Sequence, residues 1–317
     1  MSESLIQTHK GFEILRAFLL CSSFALGQCE WSQSQTVGEL DASLLPEASG
    51  LARSSLTSSQ LYHVNDSGDA LAFYVSDLTG ENLQRIRLES PPPGLSDLED
   101  ITVGPCGNTS CLFLGDIGGN TFARDELRIF VVEERASWTD SAPILHTLTV
   151  NYPDAIRDAE GLAVHPNGDI YVLSKATLSP FGTASAKLYR LDNWQQNPSA
   201  FHTLSLVAEL DLAALSQTTL DLFSHVATAL AISPDGEAFS VLSYGNLYEF
   251  AVDVSSFEAS APVIINSLKK VSVANVERLP QQESLAYLDA ETLLYGSEAR
   301  GASSELRATS CRQKSAD

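Results

Sequence analysis

Hydrophobic and polar positions along this chain repeat as a unit. A short acidic or hydroxyl-bearing motif opens an apolar strand, a turn follows, and a second apolar strand ends on polar residues. The five openings are Glu47-Ala48-Ser49-Gly50-Leu51, Asp97-Leu98-Glu99-Asp100-Ile101, Asp158-Ala159-Glu160-Gly161-Leu162, Ala227-Thr228-Ala229-Leu230-Ala231 and Gln282-Glu283-Ser284-Leu285-Ala286. The second strands are centred on Tyr62, Phe113, Val172, Val241 and Leu294. A third strand follows in each unit, at 71–75, 127–132, 187–191, 247–252 and 305–308. A fourth follows in four of them, at 83–88, 144–150, 203–210 and 263–266. Pro166-Asn167-Gly168 and Pro234-Asp235-Gly236 supply the turn residues between first and second strands.

One four-stranded sheet cannot bury both of its faces alone. A unit recurring at about fifty to seventy residues therefore predicts an all-β, five-bladed β-propeller. The last unit lacks a fourth strand, and residues 31–40 form a strand with no unit of their own. That N-terminal strand is expected to complete blade five and close the ring. Residues 212–224 carry apolar positions near helical spacing and read as a short helix or insertion before blade four. If they hide a degenerate unit, the count becomes six blades.

The first residues change the setting. Residues 17–26 are a short apolar run preceded by Lys10 and Arg16, and Ala25-Leu26-Gly27 resembles a small-residue cleavage site. Residues 1–27 are expected to be a signal peptide, too short to span a bilayer, and 28–317 a single propeller domain in a secreted or periplasmic protein. Cys29, Cys106, Cys111 and Cys311 are then an even number in an exported chain, and three pairings are open. If 31–40 runs antiparallel beside 305–308, Cys29 falls next to Cys311, leaving Cys106 and Cys111 at either side of a turn.

Composition narrows the partners. Of 317 residues, 40 are acidic and 19 are Lys or Arg, a formal net charge of −21. This argues against nucleic acid or an anionic membrane surface, and disfavours polyanionic substrates. No later segment is long and apolar enough to insert in a membrane. A monomer is expected.

The candidate chemistry lies in the central ring. Ser49, Glu99, Glu160, Thr228 and Glu283 hold equivalent positions on the innermost strands, so all five are expected to face the channel. Three carboxylates and two hydroxyls form an oxygen-only set suited to Ca²⁺. Without a cation, converging carboxylates repel and retain protons. Asp66, Asp97, Asp100, Asp116, Asp158 and Glu298 form a second tier near strand ends. The competing expectation is that these acids hydrogen-bond backbone amides between blades. Gly115-Asp116-Ile117-Gly118-Gly119-Asn120 with Arg124 reads either as a ligand loop or as a wide turn stapled by an Asp116–Arg124 pair. Lys175 either faces the funnel or balances neighbouring acids. The histidines show no metal-ligand spacing, Gly-x-Ser-x-Gly is absent, and Asn65-Asp66-Ser67-Gly68-Asp69 reads as a turn.

The ordered motifs Asn65-Asp66-Ser67-Gly68, Leu98-Glu99-Asp100, Gly115-Asp116-Ile117-Gly118, Arg157-Asp158-Ala159-Glu160 and Ser233-Pro234-Asp235-Gly236 resemble a family of uncharacterised exported bacterial β-propellers. The chain departs from that pattern at Gly119, where Asp is usual. The ring of Ser49, Glu99, Glu160, Thr228 and Glu283 also resembles, more loosely, the calcium ring of soluble calcium-activated nucleotidases, the apyrases. That second resemblance implies a five-bladed propeller hydrolysing nucleoside di- and triphosphates with Ca²⁺.

Two functions are therefore expected in competition. In the first, Ca²⁺ stiffens the ring while one mouth of the channel binds a small molecule, glycan or protein. In the second, the protein is a calcium-dependent phosphoester hydrolase, with Asp116 or Glu298 positioning water and Arg124 and Lys175 meeting developing charge.

Overall fold

The computed structural model describes residues 29–66, 70–94, 96–119, 124–176, 178–179, 182–183, 185–216, 222–269, 271–274, 276–299 and 304–313. The expected leader and residues 67–69 lie outside the described residues. The alternating apolar segments form antiparallel sheets because each buries one face against the sheet before it and one against the sheet after it. Five blades result. Their innermost strands are Ala48–Arg53, Leu98–Cys106, Ala159–Val164, Ala227–Ile232 and Gln282–Tyr287. Each packs on the next around the ring, and the fifth packs on the first.

The core is distributed between blades. Phe73 and Phe130 share one apolar cluster of blades I and II, and Phe113 and Tyr189 share the next. Tyr171 and Phe239 sit between blades III and IV, Leu242 and Tyr295 between IV and V, and Leu294 and Leu61 between V and I. A buried Leu or Phe side chain contributes about 1.5–3 kcal/mol, so each interface contributes to holding the ring closed.

Closure takes the expected route. Gln35–Leu40 pairs antiparallel with Ser304–Gln313, setting Gln35 opposite Ala308, and Cys29–Trp31 continues along the same partner. Arg307 reinforces the seam: its Nη1 donates to Thr36 Oγ1 at 2.9 Å and its Nη2 meets Glu277 Oε2 at 2.8 Å. Trp31 stands opposite Cys311, which is disulfide-bonded. The Cys29 side chain, and with it the expected Cys29–Cys311 bridge, lies outside the described residues. Cys106 and Cys111 are bonded to each other across their hairpin, as expected.

One strand assignment is corrected. Residues 263–266 were expected as the fourth strand of blade IV. Val263–Ile265 instead pairs in parallel with Ser205–Leu210 of blade III, and Val271–Ala274 is the fourth strand of blade IV. The reason is a device that recurs at three blade junctions. The crossover between third and fourth strands of a blade lays a short parallel strand on the outer edge of the preceding blade. Ser141–Pro143 covers Gln84–Glu89 and Phe201–Thr203 covers His146–Asn151 in this way. Such strands satisfy an edge that would otherwise expose unpaired backbone groups. At the seam Glu39 N donates to Thr79 O at 3.1 Å, and Gly38 has no room for a Cβ beside that carbonyl.

Residues 212–224 contain a short helix, Leu212–Leu215, capped by Asp211, and a 3₁₀ turn, Leu222–His225. They add no sixth blade. Among the described residues no helix is long and apolar enough to cross a membrane.

Candidate functional site, an acidic mouth on the channel

Each inner strand begins at one mouth of the channel, and four of them carry a bulge at the ring position. Glu99, Glu160, Thr228 and Glu283 are skipped in the pairing with the second strand, as the register breaks show. A bulged residue turns its side chain away from the regular alternation. In blade I the skipped residue is Gly50, whose φ of 62° suits a residue without a side chain. Ser49 remains in the ladder and donates its hydroxyl to the backbone oxygen of Glu99.

The carboxylates gather into a continuous patch. Oxygens of Asp66, Asp97 and Glu99 lie within 4.8 Å of one another, as do those of Glu99, Asp158 and Glu160, and those of Asp66, Glu283 and Glu298. The expected ring is thereby rearranged. Glu99 and Glu160 meet through Asp158, whereas Glu283 joins Asp66 and Glu298. Gly118 closes over this patch, since a Cβ there would sit 2.1 Å from Glu99 Oε1 and 2.4 Å from Asp97 Oδ2.

Several groups already have partners. Lys175 Nζ bonds Glu160 Oε1 and lies 3.7 Å from Asp158 Oδ2. Tyr244 donates its hydroxyl to Glu283 Oε1 at 2.6 Å. Asp158 Oδ1 accepts the Gly119 N–H at 2.8 Å. Asp116 is fully buried and engaged on both oxygens. Arg124 Nη1 lies 2.8 Å from its Oδ1, Arg128 Nη2 2.6 Å from its Oδ2, and the Asp97 N–H donates to Oδ1. The Asp116–Arg124 pair expected in the stapled-turn reading is thus present. Among the five ring residues, two buried oxygens have no hydrogen-bond partner: Glu99 Oε1 and Thr228 Oγ1.

Burial and mutual repulsion set the protonation. Burial, with Glu160, Asp66 and Asp97 nearby, holds the Glu99 carboxyl well above the usual range. Burial raises Glu160 to about 8 against the pull of Lys175, and raises Glu283 to about 9 with help from Glu160 and Glu298. Burial also raises Asp97, with Arg124 opposing. Burial lowers the Lys175 ammonium, but Glu160 and Asp158 more than reverse this and carry it upward. Acids that retain protons near neutrality for want of positive charge, with a buried oxygen left unpartnered, form an oxygen-rich cradle that fits a hard divalent cation.

Asp100 departs from its expected place in the mouth. It is 1% exposed, and its carboxylate turns inward, away from the acid patch. It accepts the N–H of Ile101 at 2.8 Å and of Leu162 at 2.7 Å. Burial raises this carboxyl, and these N–H groups, with those of Leu230 and Leu51 nearby, oppose the rise. The residue was visible in sequence only as one acid among several; nothing local marks the register that aims it inward.

At the other ends of the same five strands lies a cavity of about 600 Å³, lined from every blade by residues that include Leu51, Val103, Val164, Ile232 and Tyr287.

No protein-family model matches this sequence. No curated protein matches it either. Among solved structures, the chain is similar to the PQQ-bound form of an aldose sugar dehydrogenase from Streptomyces coelicolor, at 10% identity and a TM-score of 0.46, covering 90% of this chain and 100% of that one. A protein of unknown function from Bacteroides thetaiotaomicron is similar at 9% identity and a TM-score of 0.44, covering 89% and 77%. Virginiamycin B lyase from Staphylococcus aureus is similar at 10% identity and a TM-score of 0.38, covering 85% and 82%. No activity is taken from any of them. The five-bladed assignment stands on the strand pairing itself.

Proposed function

We propose that this protein is an exported calcium-binding β-propeller, in which Ca²⁺ at the acidic mouth stiffens the ring and one mouth of the channel binds a small molecule, glycan or protein. The observation that carries the cation is Glu99 Oε1, buried without a partner among carboxyls that burial and repulsion keep protonated. Glu99, Asp97, Asp66 and Asp158 would hold it, with Glu160, Glu283, Ser49 and Thr228 completing the oxygen set directly or through water. Bound there, the ion supplies the positive charge that Lys175 alone delivers to one side of the patch. The disulfide Cys106–Cys111 supports an oxidising compartment. Because the ion binds only the folded ring, it raises stability with concentration. Chelator is expected to lower the melting temperature and Ca²⁺ to restore it. An unchanged melting temperature across both treatments contradicts the cation.

A second reading is a calcium-dependent hydrolase of phosphoesters or nucleotides. Arg124 supports it: its side chain is 22% exposed, near Asp97. Asp116 would then hold Arg124 in place, Glu298 would position water, and Lys175 would share in meeting substrate charge. In this reading Arg124→Ala slows turnover and spares cation binding. Absence of turnover on nucleoside diphosphate and simple phosphoester, in protein shown to carry Ca²⁺, excludes it.

A further inference from the structure

The cavity at the end of the channel opposite the acids has its own chemistry. Although acids outnumber bases by 40 to 19 in the chain, no acidic residue lines it among the described residues. The one described cation in its lining is Arg53, whose Nη1 donates to Leu288 O at 2.6 Å and whose Nε donates to Ser58 O at 3.3 Å. Several wall hydroxyls are likewise engaged. Ser54 and Ser55 donate to Glu134, which lies behind the wall, and Ser233 donates to Asp235 at 2.6 Å. Tyr287 Oη shares a 2.7 Å hydrogen bond with Ser240 Oγ. Thr102 and Asn108 add polar side chains to the wall. The larger part of the lining is apolar and includes Leu51, Val103, Val164, Leu230, Ile232 and Leu285.

The cavity is a cup whose inner end is lined by Leu51 and Leu230, with their backbone N–H groups near the buried Asp100 carboxyl. One wall is the hairpin carrying Pro105, Asn108, Thr109 and Ser110, which the Cys106–Cys111 disulfide pins. A preformed concavity of this size and lining lies within the range of about 300–1,000 Å³ typical of small-molecule sites.

We infer that this cup is a binding site for a small, uncharged, largely apolar molecule. A cation would lose its water and meet no carboxylate on the described wall, and an anion would meet only the one guanidinium of Arg53, already held by two backbone carbonyls. A macromolecular segment is disfavoured for a related reason: its backbone amides would find few unspent partners. An apolar molecule loses nothing of this kind and gains from burial against walls contributed by all five blades. The inference deepens the binding half of the function proposed above, and it does not depend on the cation.

The test uses a matched pair of fluorescent probes, neutral N-phenyl-1-naphthylamine and its sulfonated counterpart 8-anilino-1-naphthalenesulfonate, titrated into the whole mature protein at about 0.15 M salt, where exposed charges are largely screened. The neutral probe is expected to saturate at one molecule per chain and to bind at least tenfold tighter than the sulfonate. Val103→Trp and Ile232→Trp, at half-buried positions on two different blades, are each expected to weaken it at least tenfold while circular dichroism stays unchanged. Absence of saturable binding, a preference for the sulfonate, or undiminished binding in folded Trp variants would overturn the proposal. The probe comparison needs no variant, so misfolding of either substitution leaves the test intact. Melting with and without Ca²⁺ on the same preparation separates the two claims. A calcium response without probe binding sinks the cup alone, and probe binding without a calcium response sinks the cation alone.

Discussion

The carboxylate of Asp100 in blade II accepts the backbone N–H of Leu162 in blade III at 2.7 Å, within the ring of inner strands. Ile101 donates to the same group from its own strand, and the N–H groups of Leu51 and Leu230, from blades I and IV, lie near it. One side chain therefore bonds two inner strands where four converge, between an acidic mouth and an apolar one. A propeller has no single central core, so a polar clasp at its axis supplies cohesion that interblade packing does not. Asp100→Ala would leave the Ile101 and Leu162 N–H groups buried and unsatisfied. It is expected to cost about 3 kcal/mol or more in urea denaturation, and Asp100→Asn, which sets an amide donor against those donors, should also be strongly destabilising. A loss below about 0.5 kcal/mol for either would show that the clasp carries little.

Glu249 gives the pH prediction. It is 8% exposed, and burial raises its carboxyl from the ordinary 4.5 to about 7, with the Tyr287 hydroxyl opposing. The folded protein keeps a proton that the unfolded chain releases, so this group's contribution is complete below pH 4.5 and is lost as pH rises through 7. Glu249→Gln removes the dependence. It should match the natural protein near pH 4 and exceed it near pH 8 by on the order of 1–3 kcal/mol, measured by denaturant titration at both values.

Lys175 is the positive charge already built into the acid patch, on Glu160 and Asp158. Lys175→Met should destabilise the protein in chelator by roughly 1–3 kcal/mol, less than a fully buried pair because the side chain is partly exposed. The stabilisation gained on adding Ca²⁺ should grow, since the ion then compensates more unbalanced charge. Thermal melting of both proteins, with chelator and with Ca²⁺, checks the two directions.

The Cys106–Cys111 bridge closes a short loop, with a sequence separation of 5. Restricting so short a loop in the unfolded chain is worth about 2 kcal/mol. Cys106→Ser with Cys111→Ser should lower stability by about that amount and leave the fold intact. Its second expected effect is weaker binding of the neutral probe, because the hairpin forms a wall of the cup.

The fold was legible because the openings around Ser49, Glu99, Glu160, Thr228 and Glu283 repeat with turn signals between them. Residues 31–40 then had no partner but the truncated last blade. Residues 263–266 misled because an edge-covering parallel strand and a fourth blade strand have the same apolar pattern; only the pairing partner distinguishes them. The site was legible as oxygen chemistry at one mouth, including Lys175 as a balancing charge and the Asp116–Arg124 staple. Its grouping was not. Bulges at four ring positions and the loop over Gly118 decide which carboxylates meet, and neither leaves a mark in composition or spacing. Asp100 followed the competing expectation, an acid spent on backbone amides between blades. The apolar cup had no sequence signature, because residues such as Val103 and Ile232 look like ordinary strand positions.

Isothermal titration of Ca²⁺ into chelator-stripped protein tests the central claim most directly. Saturable binding is expected in the natural protein and its disappearance in the double variant Glu99→Gln with Glu160→Gln, that variant being folded by circular dichroism. Binding that persists unchanged in that double variant, or no binding in the natural protein, would contradict it.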